Sequence, residues 1–264
     1  MLQGKTALVT GSTSGIGLGI ACSLAAQGAN IIMNGFGDVE APKAQIAAAG
    51  KNAIRIGYHG ADMSKAAEIE GMFAYAEAEF GGVDILVNNA GIQYVANVED
   101  FPTERWDAII AINLTSAFHT TRLAVPGMKR KNWGRIINIS GTNARNAGNL
   151  SGGARNASMV HMTKTLAVQL GRFGITVNCV HPGTTRTERT PSLLAKQAAD
   201  LKISPEEVEK RTFAPDAPRG NAICRMVDAS EIAYVTAFLA SEKSWAICGE
   251  LVVATGGAGK SVYY

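Results

Sequence analysis

Cysteine is scarce in this sequence: Cys22, Cys179, Cys224 and Cys248 are the only four in 264 residues, and no two form a Cys-x-x-Cys pair. That excludes a disulfide scaffold and a dithiol or zinc motif, and it suits a reducing compartment. Charge is also sparse, at 18% of residues against 47% hydrophobic, which excludes a disordered chain. Neither sign dominates. The formal net charge is +3, too weak a bias to point to nucleic acid, and the tight basic run Lys129–Arg130–Lys131 reads as a solvated helix end. A long apolar run is missing as well. Thr6 to Gly37 carries no charge, but Ser12, Thr13, Ser14, Gln27, Asn30 and several glycines interrupt it, and hydrocarbon would penalise them. Ala7–Leu8–Val9 is too short for a signal peptide, so a soluble, cytoplasmic protein is expected. His59, His119, His161 and His181 have no carboxylate or cysteine partner at ligand spacing, and no metal is implied.

What the sequence does have is alternation. Thr6–Val9, Asn30–Met33, Ile85–Val87, Arg135–Ile139, Thr176–Val180 and Leu251–Val253 read as short buried strands, with a weaker candidate at Ala53–Ile56. Helical patterns lie between them: one capped by Ser64, one from Thr103 to Met128, and one from Met159 to Leu170 after a Gly/Asn-rich stretch. Parallel neighbours need crossovers. The expected architecture is therefore α/β: a single Rossmann-like domain over residues 1–264, with a doubly wound parallel sheet of about seven strands and helices on both faces. One insert, about 191–228, departs from the pattern. Ser204–Pro205–Glu206–Glu207 predicts a capped helix there, and its place beyond the strand ends suggests a substrate lid. Its apolar residues Leu193, Leu194, Phe213 and Met226 fit either an apolar ligand or a packed insert.

The first strand runs into Thr10–Gly11–Ser12–Thr13–Ser14–Gly15–Ile16–Gly17 and then a helix. Glycines at this spacing allow a tight turn and close approach of a pyrophosphate to a helix N-terminus. A 2′-phosphate would call for Arg or Lys near the turn or after the second strand. Ser12, Thr13 and Asn34–Gly37 offer none and Asp38 would repel it, so NAD is favoured over NADP.

These residues resemble the short-chain dehydrogenase/reductase family. Thr10 to Gly17 matches its Thr-Gly-x-x-x-Gly-x-Gly fingerprint, Asn88–Asn89–Ala90–Gly91 its motif after the fourth strand, and Asn113 its active-site asparagine. Before about residue 140 the chain is most similar to the 3-hydroxybutyrate dehydrogenases, through Asn34–Gly35–Phe36–Gly37, Asn89 to Gln93 and Trp133 to Asn138. The resemblance implies cofactor contacts at Gly11, Ser14, Gly15, Ile16, Gly17 and Phe36, with Asp62 and Met63 beside the adenine. It adds Asn89, Ala90, Gly91, Asn156, Pro182, Gly183, Thr185 and Thr187, and it implies Gln93 as a substrate contact. It further implies a homotetramer or homodimer, with Thr103–Lys131 and Met159–Arg172 packing across subunits and Leu251–Thr255 and the Val262–Tyr264 tail at another interface.

The family's chemistry needs a tyrosine, with a lysine four residues later. The ammonium lowers the phenol's pKa toward neutrality for proton transfer. Here no tyrosine lies between Tyr94 and Tyr234, and no lysine between Lys131 and Lys164. Aligned back from Thr163–Lys164, the tyrosine position falls on Gly152 and the lysine position on Asn156, with the family serine at or beside Gly141, one residue from Ser140. Gly152–Gly153–Ala154–Arg155–Asn156 resembles a divergent branch without the pair; Asn156 can still serve a ribose, and Arg155 an anionic group. Of the hydroxybutyrate substrate set Gln93 survives, whereas Asn143, Thr184 and Gly256–Gly257–Ala258 replace its other members. Candidate replacement donors are Tyr94 and the terminal Tyr263–Tyr264. Three readings stand at this point: an oxidoreductase with an altered site, a catalytically silent nucleotide-binding partner or sensor subunit, and a non-redox isomerase or lyase.

Overall fold

The computed structural model describes residues 1–50 and 53–259; the Val262–Tyr264 tail, with its two tyrosines and the contact expected of it, lies outside them. Seven parallel strands form one sheet. In chain order they are β1 (Thr6–Val9), β2 (Asn30–Met33), β3 (Ile56–Tyr58), β4 (Ile85–Asn88), β5 (Gly134–Ile139), β6 (Ile175–Pro182) and, at the end, a strand at Leu251–Ala254. Two two-residue strands, β7 (Thr185–Arg186) and β8 (Val227–Asp228), pair apart from it, so the last sheet strand is β9. The sheet order is β3-β2-β1-β4-β5-β6-β9. It reverses direction between β1 and β4, the place where an open α/β sheet leaves a crevice.

Side-chain alternation sorts the core into two layers. Ala7 and Val9 of β1, with Ile31, Met33, Ile85 and Val87, pack against α1 (Gly15–Ala26), α2 (Glu40–Ala49) and the helix Ala229–Ala240. Leu8, Ile32, Leu86, Ile136 and Val177 face α3 (Ala66–Phe80) and the helices Ser116–Lys131 and Leu150–Leu170. These layers carry the doubly wound architecture expected from the strand–helix alternation.

Several boundaries differ from the expectation. The weak strand forms at Ile56–Tyr58, not at Ala53–Ile56. Ser64 does not cap α3; its hydroxyl donates to Asp62 Oδ1 at 2.8 Å, and the helix starts one residue after Lys65. The long helix from Thr103 is broken into α4 (Thr103–Ile110) and α5 (Ser116–Lys131) by one π-helical turn, Ala111–Thr115. The helix expected at Met159 begins at Leu150, as α6 (Leu150–Leu170), because Asn149 caps it by accepting from Gly152 N–H at 3.2 Å. The later part of the Gly/Asn-rich stretch, from Leu150, is thus the first turns of a helix.

The insert contains α7 (Thr190–Leu201) and α8 (Pro205–Thr212), and Ser204 caps α8 by accepting from Glu207 N–H at 3.2 Å. Leu194, Ala198, Val208, Phe213 and Met226 form its own small core, while Leu193 is exposed. Its apolar residues therefore pack on one another, and Arg186 ties it to the body by bonds to Glu209 at 2.6 and 2.8 Å and to Asp228 at 3.2 Å. The Ala229–Ala240 helix, α9, follows β8 directly. Among the described residues no helix is long and apolar enough to cross a membrane.

Buried polar groups in the sheet are paired in a chain. Thr120 donates to Asn88 Oδ1 at 2.7 Å, Asn88 Nδ2 to Asn138 Oδ1 at 2.8 Å, and Asn138 Nδ2 to Thr163 at 2.9 Å. This links α5, β4, β5 and α6 by interactions that a buried amide cannot lose cheaply. His181, on β6, is buried, and its Nε2 has no hydrogen-bond partner among the described residues. Burial, reinforced by the charge of Arg145, holds its imidazole down to about 4. Between that value and the ordinary one of about 6.5 the unfolded chain binds the extra proton, so this contribution to stability is complete above pH 6.5 and is lost as pH falls toward 4. Urea unfolding followed across that window is expected to show the loss, and His181→Gln is expected to flatten the slope.

Candidate active site

Two cavities meet at the carboxyl ends of the strands. The first, of about 470 Å³, runs over the glycine turn between β1 and α1. Gly11 and Gly15 hold positive φ of 64° and 58° there, a conformation that a side chain disfavours. At Gly17 a Cβ would overlap the carbonyl oxygen of Gly11 and stand 2.5 Å from Asn89 Nδ2. The turn is laid on β4 by two sets of bonds. Thr10 Oγ1 accepts from the N–H groups of Asn89 and Ala90, both at 3.0 Å, and Asn89 Nδ2 donates to the carbonyls of Thr10 and Gly11 at 2.9 and 3.1 Å.

Ser14, Ile16 and the glycines form one wall of this cavity, and Asn89–Gly91 the other. Phe36, Asp62 and Met63 lie at its far end, and Thr187 closes over it. Phe36 is 67% exposed, its carbonyl held by Thr13 Oγ1 at 2.9 Å. Asp62 accepts from both the N–H and the hydroxyl of Ser64, at 2.9 and 2.8 Å, and these bonds hold its carboxyl below the usual carboxylate range. Glu188 places a carboxylate on the N-terminus of α1, accepting from Gly15 N–H at 3.0 Å. A helix N-terminus attracts an anion, and here the chain supplies one itself. Sequence spacing gave no hint of this bond, since its partners are 173 residues apart.

The second cavity, of about 690 Å³, opens from the first and shares Ile16, Asn89–Ile92 and Arg189 with it. Asn113 reaches it from the π-helical turn, a feature that recurs at functional sites; it is buried, and its Oδ1 accepts from Ile92 N–H at 3.1 Å. Ser140, Gln93, Asn156 and Pro182 also line this cavity. Ser140 donates to the Asn156 carbonyl at 3.3 Å, and the Asn156 amide sits against Gly141, where a Cβ would come within 2.8 Å of Nδ2.

Three residues expected at the site lie beside the cavities instead. Gly152 lines neither cavity; it faces Asn143, whose Nδ2 a Cβ would approach to 2.8 Å. Gly183 packs against Thr255 and donates its N–H to Ala254 at 3.0 Å. Thr185 pairs with Val227, and its hydroxyl turns back to the Gly183 carbonyl at 2.9 Å. Tyr94, raised as a replacement donor, does reach the second cavity and stacks edge-on against Phe101, whereas His161 is exposed on α6.

Three guanidinium groups that the spacing did not bring together line the second cavity: Arg105, Arg155 and Arg189. No Asp, Glu, His, Lys or Cys is among its described lining residues. Tyr94 therefore carries the one phenol in a wall otherwise made of amides, a hydroxyl, guanidinium groups and apolar side chains.

Comparison with known proteins agrees with this geometry. Residues 5–198 match the family model described as short chain dehydrogenase. The chain is 53% identical to a D-beta-hydroxybutyrate dehydrogenase of Cupriavidus necator over 97% of its own length and 98% of the relative's. It is 41% identical to a protein of the same name from Rhizobium meliloti, over 96% and 98%. Among solved structures, the L-sorbose reductase of Gluconobacter frateurii, complexed with NADPH and L-sorbose, superposes with a TM-score of 0.89 at 26% identity, covering 99% of this chain and 98% of that one. With the glycine turn, the Asn88–Gly91 segment and the sheet order all in place, the chain belongs to the short-chain dehydrogenase family of oxidoreductases.

Proposed function

We propose that this protein binds a nicotinamide dinucleotide along the first cavity and acts as an oxidoreductase on a small substrate held in the second. The observation that carries the reading is the glycine turn fixed to Asn89 and opening directly onto Asn113. The residues fit the cofactor: Gly11 and Gly15 leave the backbone bare, and the α1 N-terminus already holds a carboxylate stand-in, Glu188. Gly11 to Gly17 would hold the pyrophosphate, Asp62 and Met63 the adenine end, and Asn89–Gly91, Asn156, Pro182 and Thr187 the nicotinamide half, with Gly183 and Thr185 shaping the segment between Pro182 and Thr187 from beside the cavities. When bound, the nicotinamide supplies or accepts the hydride.

The chain's own task is to position the substrate and move a proton. With Gly152 and Asn156 at the family's tyrosine and lysine positions, no side chain of tuned pKa does the second job. Asn113 and Ser140 instead hold a water that exchanges the proton with solvent. Loss of one general acid–base costs about 10²–10⁴-fold, so turnover is slow. The first substrate to try is the one named for the relatives, D-3-hydroxybutyrate, toward which Gln93 is retained. A second reading, a silent nucleotide-binding subunit, is favoured by the same Gly152 and Asn156. Exposed Phe118 on α5 and Val168 on α6 mark the helix faces on which we place contacts between subunits of a homodimer or homotetramer.

Calorimetric titration is expected to give micromolar binding of NADH, and binding of NADPH at least tenfold weaker because the segment after β2, Asn34 to Asp38, offers a 2′-phosphate no cation and adds one carboxylate. Glu188→Gln is expected to tighten NADH by about two- to fivefold, the scale of one charge at a helix N-terminus; unchanged affinity would show that Glu188 does not compete with the ligand. If NADH fails to bind at millimolar concentration, the oxidoreductase reading is lost. Restoring the pair as Gly152→Tyr with Asn156→Lys, together with Asn143→Ala to clear the space that a side chain at 152 needs, is expected to raise kcat on D-3-hydroxybutyrate by about 10²-fold. Tight NADH binding with no turnover in either protein decides for the silent subunit.

A further inference from the structure

The second cavity has one charged group whose placement the proposed hydride chemistry leaves unexplained. Arg155 projects from the first turns of α6 into the cavity. Its guanidinium is partly withdrawn from water, Nε is fully buried with no hydrogen-bond partner, and no carboxylate pairs with the group among the described residues. Burial alone pulls its pKa down. The other two cations differ: Arg189 is 79% exposed at its side chain and lies 3.9 Å from Glu188, and Arg105 is exposed, 5.9 Å from the Tyr94 ring centre. A desolvated cation without a counter-ion is costly and is normally paired or removed.

Arg155 also sits at the reacting end of the cleft. Its Nη1 lies beside Gly91, where a Cβ would stand 3.6 Å from it and 2.5 Å from the Asn113 amide nitrogen. We infer that Arg155 is a substrate-anchoring residue that binds the carboxylate of a small monocarboxylic acid in the second cavity. This rests on the reading that the second cavity is the substrate site. A guanidinium presents two parallel N–H donors that match the two oxygens of a planar carboxylate, and one shielded positive charge neutralises one negative charge. A phosphate dianion would leave a second charge unanswered, since the remaining cations of the cavity lie in water. Asn113 and Ser140 line the same cavity, so an acid held by Arg155 keeps its oxygen-bearing carbon in the space they line, and a neutral alcohol or ketone of the same size lacks that anchor.

The test uses butyrate, butyramide and inorganic phosphate, titrated by calorimetry into the whole protein with and without saturating NADH. Butyrate is expected to bind at least tenfold tighter than butyramide. Arg155→Met is expected to remove that preference while leaving NADH affinity within twofold of the parent. Arg155→Lys, which keeps the charge without the fork, should fall between the two. Replacing the unpaired cation is also expected to raise the Tm of the ligand-free protein, a signature that separates loss of the anchor from loss of the fold. Equal binding of butyrate and butyramide, or an unchanged preference in Arg155→Met, overturns the proposal. So does phosphate binding tighter than butyrate and lost in Arg155→Met. Absence of NADH binding refutes the cofactor reading instead, and the titrations without NADH then decide for or against the anchor on their own.

Discussion

Asn89 donates its side-chain amide to the carbonyls of Thr10 and Gly11 across the point where the strand order reverses, and the open cleft depends on that bridge. A glycine turn has little of its own to keep it in one shape, because the freedom that lets it curl also lets it wander. Here Thr10 receives two backbone N–H groups from the segment just after β4 while Asn89 returns two bonds to the turn. The N–H groups at the start of α1 are thereby held toward the cavity, and the first wall of the site becomes a rigid surface built mainly of backbone. Gly17 is then required by packing as well as by function, since the bridge occupies the space that a side chain would need.

The other wall is built differently. Asn113, Ser140 and Asn156 give it amides and a hydroxyl, and Arg155 gives it a positive charge. Amides and hydroxyls orient ligands well but do not change protonation state near neutral pH. The described lining of this wall is thus made of groups that position and bind, with no Asp, Glu, His, Lys or Cys among them. The buried chain from Thr120 through Asn88 and Asn138 to Thr163 ties α5, β4, β5 and α6 together and keeps α6 in register with the sheet.

Much of the fold was legible because its signals are local. β-branched runs four to six residues long announce strands, and Thr10 to Gly17, set between a strand and a helix, announces a nucleotide turn. What escaped was set by contacts distant in sequence or by backbone geometry without a composition. The π-helical turn that aims Asn113 leaves no mark in Ala111–Thr115 beyond ordinary helix formers. The true start of α6 was hidden because glycines and asparagines suggest a loop, and only the cap at Asn149 and burial of Ser151, Gly152 and Asn156 turn them into helix. The apolar residues of the insert were compatible with a ligand-facing lid, yet Leu194, Phe213 and Met226 pack among themselves. The trio of arginines at the second cavity comes from α4, α6 and the segment before α7, which no spacing rule joins.

The Glu188 carboxylate on Gly15 N–H bears on selectivity in the ligand-free protein. A bare helix N-terminus recruits whatever anion is abundant, and free phosphate is abundant in cells. An internal carboxylate tethered by its own backbone acts there at high effective concentration, so a lone phosphate that offers one contact cannot evict it profitably. A dinucleotide lying along the whole cleft, as proposed, would. On that reading the Glu188 carboxylate sets a threshold, favouring molecules long enough to grip both ends of the cavity over fragments that match only its middle.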